Sequence, residues 1–250
     1  MLARRDLLLV LTLALTLAGQ VDAGGIIGGR EAAPHTRPYM VLLTLVNGGN
    51  NDRICSGFLL NENFVLTAAH CSAKTYKVSL GVHNVHSEGF QVTSVAQTFP
   101  HRDYDNNNYK NDIMLLRLSS KAIFNKNVAP IALADEEEDV SGPKSCLVSG
   151  WGKTGTQNNF SSPVLREVEV QLVSDPECDK RNFYCSEGKN GPFQGDSGGP
   201  LVCDGKAHGV FSNVVGAEYR IHCFVKIPLC KTWIDSTMKK ALDFSAKSDD

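Results

Sequence analysis

The chain is predicted to be an all-β protein, its antiparallel sheets closed into barrels or sandwiches, with a helix at its C-terminal end. Three observations carry this. Short runs alternate apolar and polar residues at the two-residue period of a strand, and turn residues separate them at short intervals. An acidic, turn-bearing stretch divides those runs into two sets. The last segment alone changes to helical spacing.

The first set comprises 39–46, 54–60, 64–67, 77–80, 90–99 and 113–118, each read as a strand. The dividing stretch runs from Asp135 to Asp139, followed by Ser141-Gly142-Pro143, and reads as a solvated linker. The second set comprises 146–148, 165–172, 200–203, 207–212 and 221–227. In the run 165–172, Leu165, Val168, Val170 and Leu172 share a face after a one-residue slip at Glu167. No repeat relates the two sets. A short helix is expected after Ser174, which has Glu177 three residues on in a capping-box pattern. A longer one is expected from about Cys230 to Leu242, with Trp233, Ile234, Met238, Ala241 and Leu242 on one face as core packing. The tail from Ser245 to Asp250 is expected to fray.

Length and composition set the frame. At 250 residues the chain can build one large domain or two small ones, each with its own core. Hydrophobic residues make up 42% and charged residues 21%, the balance of a globular protein. Its net charge of −2 and the lack of a basic stripe argue against a nucleic-acid partner. Arg4 and Arg5 precede an apolar run from Leu7 to Ala18, and Val21-Asp22-Ala23 offers small residues at the cleavage positions. This reads as a signal peptide over 1–23. The alternative, a membrane anchor, is disfavoured because the run falls well short of the roughly 20 residues a spanning helix needs. Eight cysteines behind such a segment imply an oxidising compartment and disulfides. No CxxC pair occurs, which weakens a zinc reading, and no metal or cofactor is expected.

Three motifs carry chemistry: Thr67-Ala68-Ala69-His70-Cys71, Asn111-Asp112-Ile113-Met114-Leu115-Leu116 and Gly195-Asp196-Ser197-Gly198-Gly199-Pro200. A serine hydroxyl is a poor nucleophile at neutral pH and needs a base within hydrogen-bond reach. The base needs a carboxylate to orient it and to stabilise its charged form. Ser197, His70 and Asp112 supply these parts. The backbone N–H groups of Gly195 and Ser197 are candidates for an oxyanion hole. A lone serine between glycines or a lone histidine would be weak; the order His, Asp, Ser, each within an extended motif, is not.

In these motifs the chain resembles the chymotrypsin family of serine proteases, and the roles just given are those of that family's triad. The resemblance extends from Ile26 to the last helix. It implies two antiparallel six-stranded β-barrels over 26–134 and 135–228 with the site between them, then a C-terminal helix and tail over 229–250. Gly24-Gly25-Ile26-Ile27-Gly28-Gly29 followed by Pro34-His35-Thr36-Arg37-Pro38-Tyr39-Met40 is similar to the granzyme and mast-cell protease branch. That branch implies an activation dipeptide, here Gly24-Gly25, removed by a dipeptidyl peptidase. The new Ile26 ammonium would then pair with Asp196. It also implies secretion or granule storage, and serpin-type inhibitors as partners. Phe193 stands where relatives with an extra disulfide beside the specificity pocket have a cysteine.

The resemblance further implies disulfides Cys55–Cys71, Cys146–Cys203 and Cys178–Cys185, worth about 3, 4 and 2.5 kcal/mol by loop entropy. Cys223 and Cys230 are left over, to pair with each other or stay free. The span from Cys178 to Cys185 is short for the family, which implies a trimmed loop and a more open cleft. The mildly acidic chain also departs from the strongly basic relatives that pack on anionic proteoglycans. Asn159-Phe160-Ser161 matches the N-glycosylation acceptor pattern. Aligned on the Ser197 motif, Gly191 falls at the base of the primary pocket, Ser212 and Val214 on its wall and His222 at its back. That set disfavours basic residues before the cut, ranks small to medium aliphatic ones first and acidic ones second. The expected activity is that of a serine endopeptidase. The competing reading is a silent homologue acting as a binding or antimicrobial protein, which the intact triad disfavours.

Overall fold

A computed structural model describes residues 26–48, 52–138, 140, 142–155, 160–217 and 220–246. The expected signal peptide, activation dipeptide, acceptor Asn159 and last tail residues lie outside these.

The chain builds two seven-stranded antiparallel sheets. The first contains β2 (Met40–Val46), β3 (Arg53–Leu59), β4 (Phe64–Thr67), β5 (Thr75–Leu80), β6 (Gln91–Thr93), β7 (Val95–Pro100) and β8 (Met114–Leu118). Its order is β6-β5-β2-β3-β4-β8-β7, an open half-barrel. The second contains β1 (Arg30–Glu31), β9 (Ser145–Gly150), β10 (Arg166–Val173), β11 (Phe183–Gly188), β12 (Pro200–Cys203), β13 (Lys206–Val215) and β14 (Arg220–Lys226). There β9 pairs with both β12 and β10, so six strands close into a barrel while β1 adds to β10 from outside. The fold class is the one the sequence predicts. Two details differ. The run 90–99 breaks at Ser94 into β6 and β7, and β11, between Cys178 and the glycines near 190, is a strand the pattern does not announce.

Strand β2 shows how the sheets meet. Its near-continuous apolar sequence Met-Val-Leu-Leu-Thr-Leu-Val would be excessive for a strand with one wet face. Val41, Leu43 and Leu45 point into the first barrel core, while Met40 and Leu42 pack with Trp151 and Leu165 of the second half. Both faces are buried, so the alternation is masked.

Helix α1 (Pro176–Lys180) is capped by Asp175 rather than by Ser174. The Asp175 carboxylate accepts N–H bonds from Glu177 and Cys178, and Pro176 at the first helical position fixes the register. Helix α2 (Lys231–Ala246) follows a 3-10 turn over Pro228–Cys230 and runs into the stretch expected to fray. Ile234 and Ala241 are buried and Trp233 and Met238 pack against the core, but Leu242 is 44% exposed and leaves the predicted stripe. The three expected disulfides are present. Cys223 and Cys230 are buried free thiols, so they do not pair with each other. No helix among the described residues is long and apolar enough to cross a membrane.

Candidate active site

The site assembles from both halves. After β4 the chain turns through a 3-10 turn over Ala69–Cys71, and the Cys55–Cys71 disulfide pins this turn to β3. That fixes His70, whose side chain is 25% exposed. Asp112 lies just before β8 and is fully buried. Its Oδ1 accepts the His70 backbone N–H at 2.8 Å and its Oδ2 accepts His70 Nδ1 at 2.7 Å. A carboxylate only accepts, so Nδ1 carries the proton and Nε2 is left as the basic nitrogen. Ser212 on β13 of the second sheet donates its hydroxyl to the same Oδ2 at 2.6 Å. Asp112 is thus gripped from both sheets. The Tyr109 ring meets the His70 ring edge-on at 5.9 Å and walls one side of it.

Ser197 sits half-buried in a glycine-rich turn. Its carbonyl accepts the Ser56 N–H at 2.8 Å, and Cys71 Sγ lies 3.8 Å from the same oxygen, which holds Ser197 against the turn that bears His70. Gly198 has φ +84°, and a Cβ there would lie 2.1 Å from Thr67 Oγ1 and 2.3 Å from the Ser56 carbonyl. Only glycine fits that position. His70, Gly195 and Ser197 line one cavity of about 500 Å³, together with Ile54, Lys153 and Gln194. The candidate metal group among the described residues, Cys55, His70 and Cys71, has both sulfurs consumed by a disulfide.

Behind the turn, the buried Asp196 carboxylate accepts N–H bonds from Gly152 at 2.7 Å and from Phe193 at 2.9 Å. It is wedged against Gly150 and Gly152, where any Cβ would collide with it. Burial pushes its pKa up to about 7, against the pull of the two N–H groups. Ile26 is fully buried, and Ile27 exchanges two backbone bonds with Gly191 at 3.1 and 2.9 Å.

The four residues aligned with a specificity pocket divide. Ser212 serves Asp112, as above. Val214 pairs with His222 across β13 and β14, and a Cβ on Gly191 would sit 2.4 Å from the His222 ring. These three are therefore neighbours, with the imidazole lying over the Gly191 backbone. His222 is 1% exposed, and burial pushes its pKa down to about 4, so the ring is neutral at physiological pH. Its Nδ1 lies 3.5 Å from Ser186 Oγ. Sequence reasoning misses Tyr109, the Gly150 and Gly152 cradle, and Arg220, whose guanidinium stacks 5.4 Å above the Phe193 ring. For Tyr109 the available signal is its place three residues before Asp112. For Arg220 there is none, since the contact joins β14 to a loop.

The geometry has direct counterparts. Residues 26–234 match the trypsin family model, and the chain belongs to that family of serine proteases. It is similar to rat granzyme B, at 40% identity over 94% of this chain and 99% of that protein. Rat granzyme-like protein 1 shares 42% over 94% and 99%, and human cathepsin G 37% over 94% and 96%. A solved structure described as "Structure of GrC" superposes with a TM-score of 0.78 at 35% identity, covering 86% of this chain and all of that one. Within the family, then, the chain is a granzyme-like serine endopeptidase.

Proposed function

We propose that the chain is the precursor of a triad endopeptidase, with Ser197 as nucleophile, His70 as general base and Asp112 as the residue that orients it. The observation that carries this is the pair of bonds from Asp112 to the backbone and ring of His70, with Ser197 in the same cavity. His70 Nε2 takes the Ser197 hydroxyl proton as Oγ attacks the substrate carbonyl. The oxyanion is received by the N–H groups of Gly195 and Ser197, a preorganised pair worth on the order of 10²–10³ in rate per donor. His70 then protonates the leaving amine, and water repeats the sequence on the acyl-enzyme. Asp112 holds the His70 ring in place throughout, itself steadied by the Ser212 hydroxyl.

Activation follows the same reading. Removal of a signal peptide at Ala23 and then of Gly24-Gly25 by a dipeptidyl peptidase frees the Ile26 amine. Asp196, buried with two backbone N–H donors, is the group such an ammonium would satisfy. Secretion or granule storage and control by serpin-type inhibitors go with this reading, as does glycosylation at Asn159. For specificity, a neutral His222 over Gly191 with Val214 beside it supports short aliphatic residues before the cut. It weakens the case for acidic residues, because an uncharged imidazole offers one hydrogen bond and no countercharge. With no carboxylate at Gly191, a substrate Arg or Lys would be buried unpaired. The experiment is labelling of the processed enzyme with a phosphonate probe, followed by a peptide-library profile. Expected are a single adduct on Ser197 and a profile led by Ala, Val or similar residues. Absence of the adduct in a correctly processed protein would sink the assignment.

A further inference from the structure

The two leftover cysteines are not equivalent. Cys223 on β14 stands directly opposite Cys185 on β11 in the antiparallel ladder, and the two sulfurs are 3.8 Å apart. Cys185 is already bonded to Cys178 of α1. Residues opposed in an antiparallel ladder have Cα atoms about 4.5 or 5.5 Å apart, inside the roughly 4.4–6.8 Å that a disulfide spans. A bridge between Cys185 and Cys223 therefore needs side-chain rotation and no backbone movement. Three sulfurs thus compete for one bond in a single buried cluster.

We propose that Cys185 is shared between two partners, and that the Cys178–Cys185 disulfide exchanges with a cross-strand Cys185–Cys223 disulfide. The Cys223 thiolate attacks Cys185 Sγ, the Cys185–Cys223 bond forms, and the Cys178–Cys185 bond breaks. Cys178 leaves as the thiolate and takes up the proton that Cys223 gave away. One disulfide and one thiol stand on each side, so no oxidant or reductant is consumed.

The two isomers staple different parts of the cleft. In the first, α1 is tied to β11. Just beyond α1, Arg181 donates to the Asn108 carbonyl, and the next residue, Tyr109, walls His70. In the second, α1 is released, and β11 is stitched to β14 one residue from the Ser186 and His222 pair. The exchange thus moves a covalent constraint from the His70 wall to the strand pair that carries His222.

The rate has a built-in brake. Burial pushes the Cys223 thiol up to about 11; the charge of Arg181 draws it back and that of Asp175 adds to the rise. The attacking species is the thiolate, so only about 1 in 10⁴ of the molecules is armed at pH 7, rising about tenfold per pH unit. Cys230, held at about 12 by burial, has no such opposed sulfur among the described residues and remains a bystander.

The test is native alkylation and disulfide mapping of the full processed chain. The wild type is held with iodoacetamide at pH 7 and at pH 9, quenched in acid, digested and mapped by mass spectrometry. Expected are carbamidomethyl label on Cys178 and a linked Cys185–Cys223 peptide, appearing about 100-fold faster at pH 9. Label on Cys223 with Cys178–Cys185 intact would overturn the proposal. A second arm uses Cys178→Ser refolded in a glutathione redox buffer. A Cys185–Cys223 bridge with Cys230 as the sole free thiol is expected, and three free thiols in the folded protein would overturn it. Should that variant fail to fold, the wild-type map decides alone.

Discussion

On the activation proposed above, the buried Asp196 should make the precursor's stability fall with pH in a way that the processed enzyme's does not. In the uncut chain its pKa is raised to about 7 from an ordinary 3.8. A raised carboxylate binds more protons folded than unfolded, so stability is highest below about 4 and falls as pH rises toward 7. The difference of roughly three pH units corresponds to about 4 kcal/mol withheld from the precursor above pH 7. In the processed enzyme the Ile26 ammonium would favour the carboxylate, and this loss should disappear. The assay is urea unfolding of both forms between pH 4.5 and 8, with Asp196→Asn as control. The precursor should lose on the order of 3 kcal/mol across that range beyond any loss in the processed form. The Asp196→Asn change removes the charge but sets an NH₂ against one of the two N–H donors from Gly152 and Phe193, which costs about 1–3 kcal/mol. The control precursor should therefore show a flat profile rather than a large gain, and its processed form should be inactive. Parallel pH profiles for wild-type precursor and processed enzyme would refute the reasoning.

Other outcomes follow from the same contacts. Ser197→Ala should leave the fold intact and remove turnover except for a residual rate, read as loss of both peptide cleavage and phosphonate labelling. Gly198→Ala should destabilise by at least about 2 kcal/mol, because its Cβ meets Thr67 Oγ1 and the Ser56 carbonyl at a positive φ; an unchanged urea midpoint would contradict this. His222→Ala should open the space over Gly191 and raise kcat/KM for Leu or Met over Ala by about tenfold or more, whereas an unaltered ratio would show that the ring does not limit the pocket.

What can be read from the sequence divides along a physical line. Strands whose alternation is exposed on one face, and the three residues of the proposed triad, each in its own local motif, carry their signal within a few consecutive residues. Strand β11 is hidden because Phe183, Tyr184, Cys185 and Ser186 are all buried, so its pattern has no polar phase. The capping-box pattern misplaces the cap of α1 by one residue because Ser174 and Asp175 are both good caps, and only Pro176 at the first position decides between them. The fate of Cys223 is not legible at all. Its neighbour in sequence terms is Cys230, seven residues on, but its neighbour in space is set by the β11–β14 register, and β11 is the strand that the pattern hides. The same register decides the pocket: the pairings of His222 with Ser186 and Val214 turn its imidazole over Gly191 instead of leaving it at the surface. A ring so placed is neutral because it is buried, and it is buried because β14 is flanked on both sides. On the pocket proposed above, specificity would follow strand order first and residue identity second. A substitution on β11, such as Ser186→Val, which removes the hydroxyl beside His222 Nδ1 without changing any residue facing the substrate, should alter the library profile through the ring's position. An unaltered profile would show that the ring is held by Gly191 and Val214 alone.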